Sequence, residues 1–414
     1  MKIVHAADIH LDSQLKGLSR LGDETAGVLR GATREALSNL VGLVQSEDAG
    51  LLVIAGDLYD GDWNAYATGA FFVRQMDVLN DLGIPVVIAS GNHDAQSQIT
   101  RSLKLPDNVR MLPVDKPDSV VLEDLGIVVH GQGYPTRDVT ENLVAAYPSR
   151  IPNMVNVGVL HTAVAGAEGH ALYAPCSPQD LEMLKYDYFA LGHVHQRGVV
   201  VEGAHPAWFS GNLQGRKASE TGPKGALVVD FDPGRPAQVD FHALDVARWE
   251  QVSVDVTDLN DTDAMLDAIE ASLRMTVGAA AGRRTVARVH LVGTSRLAAR
   301  LQNTEWLDAE IEHIQEQTGA VVETTKVEVV APLAPDPEAA LLRTAMAKTA
   351  DHLRETPVGL TNLLKSLDRD IRDIAKGQST SSQDSLDLTD ESVALRLLQK
   401  AQSALDARLA GLEH

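Results

Sequence analysis

Cysteine is nearly absent: Cys176 is the single one in 414 residues. One thiol cannot close an intrachain disulfide, so a disulfide framework is excluded. The chain opens Met1-Lys-Ile-Val-His-Ala-Ala-Asp8, which is strand-like rather than an apolar signal core. A reducing, cytoplasmic compartment is therefore expected. No uncharged apolar run approaches the ~18 residues of a membrane span, so no membrane association is expected. Aromatic residues make up 4% of the chain, too few for an extended base-stacking platform. Positive charge is also short: 36 Lys+Arg stand against 57 Asp+Glu, a formal net charge of −21. Such a chain does not hold polyanions by bulk charge; local cations, metals or a basic partner must do so. The rest of the composition, 44% hydrophobic and 22% charged, excludes wholesale disorder. At 414 residues, two or three domains are expected.

Residues 1–245 alternate short apolar runs with helical or polar stretches. Strand-like runs are Ile3–Ala7, Leu51–Ala55, Pro85–Ala89, Ile127–His130, Val155–Leu160, Tyr188–Leu191, Ala207–Phe209 and Ala226–Asp230. Thr33–Gln45 and Thr68–Leu82 carry helical patterns. This alternation predicts an α/β layered domain with a mixed sheet or two stacked sheets. Residues 246–333 read as a smaller α+β domain of βαβαβ order, with helices over Asp263–Met275 and Glu305–Gln317. Pro332, Pro335 and Pro337 mark a boundary. Residues 334–411 read as helical. One apolar stripe runs Leu360, Leu363, Leu364, Leu367, Ile371, Ile374. A polar linker at Gln378–Asp387 separates it from a second, Ala394, Leu398, Ala401, Leu405, Leu409. Such stripes pack on their own domain or dock onto a partner helix.

Five polar segments each follow an apolar run. Asp8-Ile-His10 follows the first, Gly56-Asp57 the second and Gly91-Asn92-His93-Asp94 the third. His161 follows Val155–Leu160, and Gly192-His193-Val194-His195 follows Tyr188–Leu191. Loops at the carboxyl ends of neighbouring strands converge, so these scattered residues are expected to form one site. Carboxylate, imidazole and amide oxygen suit manganese, zinc or iron without thiolate. Asp8 and His10, two residues apart, are expected to share a face. The glycines before Asp57, Asn92 and His193 are expected to allow sharp turns and close approach of substrate. A pair of cations would lower the pKa of water and offset charge on a phosphoryl group. His93 is placed to protonate a leaving oxygen, with Asp94 orienting its imidazole. Each segment alone is weak, but all five in this order are specific.

In that order the segments resemble the calcineurin-type metallophosphoesterases over about the first 200 residues. The resemblance implies a two-sheet α/β sandwich and a dinuclear metal centre. The blocks His5–Ser13, Gly56–Trp63, Thr136–Tyr147, Tyr173–Cys176, Gly211–Arg216 and Glu220–Gly225 are similar to DNA-repair exonucleases of the SbcD and YhaO type. The family resemblance then implies one metal held by Asp8, His10, Asp57 and His195. It implies a second held by Asp57, Asn92, His161 and His193, with His93 as the catalytic imidazole. Manganese is the expected ion, with iron, zinc and magnesium as alternatives. Asp60 stands where archaeal and eukaryotic relatives carry a histidine. Arg216 and Lys224 are candidate phosphate contacts. The activity implied is DNA exonuclease, with some single-strand endonuclease. The partners implied are DNA, a second copy of the chain and an SMC-like ATPase docked on residues 336–411. Two other readings are a small-substrate phosphoesterase and a non-enzymatic adaptor of the ATPase.

Overall fold

The computed structural model describes residues 1–13, 23–60, 66–96, 103–164, 173–332 and 337–355, with Gln399. The two C-terminal apolar stripes and the linker between them lie outside the described residues, as does the Gly61–Trp63 part of the second block.

Two compact units are present. The first comprises Met1–Gln251, Thr276–Arg288 and Gly319–Glu323. It holds two six-stranded sheets. One is ordered β12-β11-β1-β2-β3-β4, with β1 (Lys2–Ala6), β2 (Leu52–Ala55), β3 (Val86–Ala89), β4 (Val109–Met111), β11 (Gly225–Asp230) and β12 (Gln238–Ala243). The other is ordered β5-β6-β7-β8-β10-β9. Its strands are β5 (Asp118–Leu122), β6 (Ile127–Gly131), β7 (Val155–His161), β8 (Tyr188–Gly192), β9 (Gly198–Val201) and β10 (Ala207–Phe209). In the first sheet β1 to β4 run parallel, and β11 joins β1 antiparallel. In the second β6, β7, β8 and β10 run parallel, between antiparallel β5 and β9.

The central parallel strands are buried on both faces, which explains their unbroken apolar runs. Between the sheets, Ile3, Val53 and Val87 of one face meet Val129, Val157 and Tyr188 of the other. Helices α1 (Asp23–Ser46) and α2 (Tyr66–Asp81) cover the first sheet's outer face through Leu37, Leu40, Phe72 and Met76. Helix α3 (Pro178–Leu184) helps cover the second sheet through Leu181. Ser177 caps α3 by accepting the Asp180 amide while the Asp180 carboxylate accepts the Ser177 amide, a reciprocal box. The two-sheet α/β sandwich expected from the sequence is the observed architecture.

A three-stranded sheet is formed by β13 (Ala247–Asp255), β14 (Arg284–Thr294) and β15 (Val321–Val330). The second unit comprises Val252–Met275, Val289–Thr318 and Thr324–His414. Helix α4 (Thr262–Ala279) buries Met265, Ile269 and Leu273 at helical spacing. After the short α5 (Ala298–Leu301), α6 (Thr304–Thr318) does the same with Leu307, Ile311 and Ile314. Pro337 does not interrupt the chain. It opens helix α7 (Pro337–Glu355), where its fixed φ and missing amide proton do no harm.

No helix of the described residues is long and apolar enough to cross a membrane.

Candidate metal centre

The segments after β1 and β2 stay stitched together beyond the strands. The amide of Asp8 donates to Gly56 O at 3.0 Å, that of His10 to Asp57 O at 3.0 Å, and that of Leu11 to Leu58 O at 2.9 Å. This extended pairing brings the candidate ligands Asp8 and His10 alongside Asp57. The backbone is left-handed at Asp8 (φ 49°), His10 (φ 44°) and Asp57 (φ 52°), and φ is also positive at His193 (103°). Residues with a Cβ adopt such conformations rarely, and they concentrate at functional sites. The sheet pleat therefore does not bring Asp8 and His10 together; two left-handed kinks do.

Asp8, His10, Asp57, Asn92 and His161 are buried. His10 Nε2 lies 3.2 Å from His195 Nε2 and 3.7 Å from Asp57 Oδ2. His161 Nε2 lies 2.9 Å from Asn92 Oδ1 and 3.5 Å from Asp57 Oδ2. His195 Nε2 lies 3.9 Å from Asp8 Oδ1. The His193 ring meets the His161 ring edge-on, with centroids 5.2 Å apart, and the Tyr173 ring at 5.3 Å. Three sets of potential donors each fall within 4.8 Å: Asp8, His10 and His195; Asp8, Asp57 and His161; and His10, Asp60 and His93.

The electrostatics are strained in the same place. Burial, then the neighbouring Asp57 carboxylate, pushes Asp8 well above the usual carboxylate range. Burial raises Asp57 to about 6 and lowers His161 to about 3.

The calcineurin-like phosphoesterase family matches residues 1–197, and the middle domain of metallophosphoesterase YhaO matches residues 249–330. The uncharacterized metallophosphoesterase YhaO of Bacillus subtilis is 32% identical over 274 residues, covering 65% of this chain and 67% of the relative. The chain belongs to the calcineurin-like metallophosphoesterases. Further relatives of this metallophosphoesterase are the SbcD subunits of nuclease SbcCD from Staphylococcus saprophyticus and from B. subtilis. The first is 25% identical, covering 56% of this chain and 66% of the relative; the second is 23% identical, covering 57% and 68%. A dimetal phosphatase from Danio rerio aligns with a TM-score of 0.37 and 11% identity over 59% of this chain and 99% of its own.

The family implies two divalent ions, and the residues of this metallophosphoesterase fit them. His161 Nδ1 lies 3.0 Å from Ala55 O, so the proton sits there and Nε2 turns a lone pair toward Asn92 and Asp57. His195 Nδ1 lies 2.9 Å from Glu220 Oε1, which leaves its Nε2 lone pair facing His10. Electron-pair donors thus face one another across buried space, an arrangement that a cation relieves. A carboxylate or carbonyl on the far nitrogen of an imidazole is the usual outer support of a metal ligand.

His93 lines the groove beside these residues. Its partner is not Asp94. Asp94 accepts the amides of Leu58 (3.1 Å), Tyr59 (2.9 Å) and Gly91 (3.0 Å), so it ties the second and third loops together. Burial pushes Asp94 up to about 7. Asp60 takes the imidazole instead, 2.9 Å from His93 Nδ1. The His10 ring, then the His93 ring, holds Asp60 far below the usual carboxylate range, and Asp60 in turn raises His93. Arg216, a candidate phosphate contact, is engaged with Ser13 Oγ at 3.0 Å and Asp60 Oδ2 at 3.3 Å. It braces Asp60. Lys224 is buried at the groove wall and donates to His195 O at 3.2 Å.

Gly56 takes the sharp turn expected of it, with φ 95°. A methyl at Gly56 or Gly91 would overlap the His161 ring or the Asp57 carboxylate, and one at Gly192 would overlap Ala55 O. Gly56 and Gly91 make room for ligand side chains, and Gly192 for the neighbouring strand.

Sequence reasoning overlooked Glu220, which also accepts from Asn212 Nδ2 at 2.9 Å and the Arg216 amide at 2.8 Å. Burial works to raise it, yet His195, then Arg216, bring it to about 2. It lies 25 residues beyond His195, with no spacing to betray the pair. Asp60 was visible as a departure from relatives, but its role was not.

Proposed function

We propose that this metallophosphoesterase hydrolyses phosphodiester bonds of DNA, as a manganese-dependent exonuclease with some single-strand endonuclease activity. The observation that carries the reading is the open groove. In it His93, held by Asp60, borders Asp57 and Asn92 and is flanked by Lys217 and Lys224. Two divalent ions, when bound by Asp8, His10, Asp57, Asn92, His161, His193 and His195, would acidify water and offset phosphoryl charge. Asp60 fixes the His93 ring at Nδ1 and favours its protonated form, so Nε2 has a proton to give to the departing oxygen. Asp60 remains ionised because His10, His93, Ser13 and Arg216 surround it. Lys224 and Lys217, the latter 3.9 Å from Glu220, place positive charge on the groove wall of a chain whose net charge is −21. The nuclease subunits at 23–25% identity support the same substrate class.

The test is cleavage of end-labelled duplex and single-stranded DNA with manganese. Cleavage by the wild type and none by His93→Gln is expected. No cleavage above that control, with or without an ATPase partner, overturns the reading. The charge of −21 favours a second reading, a small-substrate phosphoesterase. Rapid turnover of bis(p-nitrophenyl) phosphate with DNA untouched would select it.

We also propose a homodimer joined to an SMC-like ATPase through residues 336–411, on the strength of the apolar stripes there. Deleting the segment is expected to abolish co-purification while metal content stays intact; retained co-purification overturns the assignment. A metal-free chain with full ATPase binding would instead support the adaptor.

A further inference from the structure

A second pocket of ≈ 270 Å³ adjoins the groove and shares His195, Gln196 and Lys224 with it. Beyond them it is lined by Arg197, Ser210, Gly211, Asn212, Thr221, Gly222 and Pro223. Three features distinguish it from the groove.

The first is charge. No carboxylate lines this pocket, although the chain has 57 acidic residues against 36 basic ones. It carries two cations, Arg197 and Lys224. The second is that neither cation is held in an ion pair, although the Glu220 and Asp245 carboxylates act on Lys224 from nearby. Lys224 is 5% exposed, and its hydrogen bond is to a carbonyl, His195 O. An ammonium has three donors, so two remain for a ligand. Arg197 stacks on the Phe241 ring at 3.8 Å to the centroid, which positions the guanidinium without cancelling its charge. Among the described residues neither makes an ion pair. A buried ammonium is costly unless an anion compensates it. The third is backbone shape. Gly211 (φ 74°) and Gly222 (φ 76°) take left-handed conformations, and a side chain at Gly211 would press on Arg197 N and His195 O. Gly211 thus lets the Arg197 and His195 backbone pass close by, and at Gly222, where a Cβ would meet nothing within 4 Å, the wall is backbone that an anion can approach.

We propose that this pocket is a subsite for a second phosphate of the substrate, one nucleotide from the phosphate cut over the groove. This rests on the reading of the protein as a nucleic-acid phosphodiesterase and gives it a source of selectivity. Lys224 stands between the two pockets and can touch both phosphates. Arg197 and the Thr221 hydroxyl belong to the second alone. A phosphodiester lacking the second phosphate forgoes the contacts these two cations offer, so chain substrates are favoured over single esters.

The test compares two chromogenic substrates with the manganese-loaded full chain. One is the p-nitrophenyl ester of thymidine 5′-phosphate; the other carries an added phosphate on its 3′ oxygen. Wild type is expected to prefer the second in kcat/KM, chiefly through KM. Arg197→Gln, which removes a cation, and Thr221→Glu, which adds an anion, are each expected to cut that preference by about tenfold, as for loss of one charged hydrogen bond. The preference should also fall with salt in wild type and less so in the variants. Equal kcat/KM for the two esters in wild type overturns the subsite, as does an unchanged preference in a folded variant. If Arg197→Gln fails to fold, Thr221→Glu decides. Preference retained on the esters with polymeric DNA left intact would sink the nuclease reading alone.

Discussion

The interior between the two large sheets and the rim where their strands end differ sharply, though one residue separates them. Ala6, Ala55 and Leu160 are wholly buried, ordinary and apolar. A step or two further on, Asp8, Asp57 and His161 are just as buried, but they are polar. The rim backbone is left-handed at several ligands, and its carboxylates are raised by burial. The interior contributes stability by removing apolar surface from water. The rim spends part of that stability to hold charge-bearing groups close together. The lesson is that the frame and the site can be perturbed separately.

Four experiments would break or sharpen that contrast. His93→Gln is expected to lower kcat by about 10²–10⁴-fold, because a positioned proton donor is lost. Metal content, read by elemental analysis, should not change. Ile54→Ala, in β2, is expected to cost about 2–5 kcal/mol by denaturant unfolding through the cavity it leaves. The folded fraction should still carry two metals; loss of metal at full stability would erase the contrast. Glu220→Gln is expected to weaken metal affinity by about 10–100-fold, as for other outer-shell supports of a ligating imidazole. Unchanged affinity in a metal titration would remove Glu220 from the site.

The smallest effect concerns the metal-free protein. Asp57 has a folded pKa of about 6 against an ordinary 3.8, so ionising it opposes folding. This penalty is absent below pH about 4, grows as pH rises toward 6, and is complete above it. Asp57→Asn keeps an acceptor for the His93 amide and removes the penalty. In chelator, the variant is therefore expected to melt above wild type at pH 8 and to lose that advantage near pH 4. With metal present, the order at pH 8 should reverse.

The sequence made the centre of each sheet legible because buried parallel strands such as β2 and β8 are unbroken apolar runs. It did not reveal β4, β5, β9 or β12. These are the four edge strands of the two sheets. Their burial is partial, as in β12, so no apolar run or clean alternation marks them. The ligand-bearing loops were readable because each follows a visible strand. The supports were not. Asp60, Glu220 and Arg216 act through partners 33, 25 and 156 residues away, and only the folded arrangement selects them. Asp94 was misjudged for a related reason: it adjoins His93 in sequence, yet its carboxylate turns toward the backbone of the second loop instead.

The amide ladder that runs on past β1 and β2 ties two ligand-bearing loops together through the backbone alone. Because amide bonds rather than ligand side chains join these loops, replacing one ligand leaves the others where they are. A receptor of oxygen and imidazole donors also accepts several cations of similar radius. Which one resides there is decided by cellular supply as much as by the polypeptide.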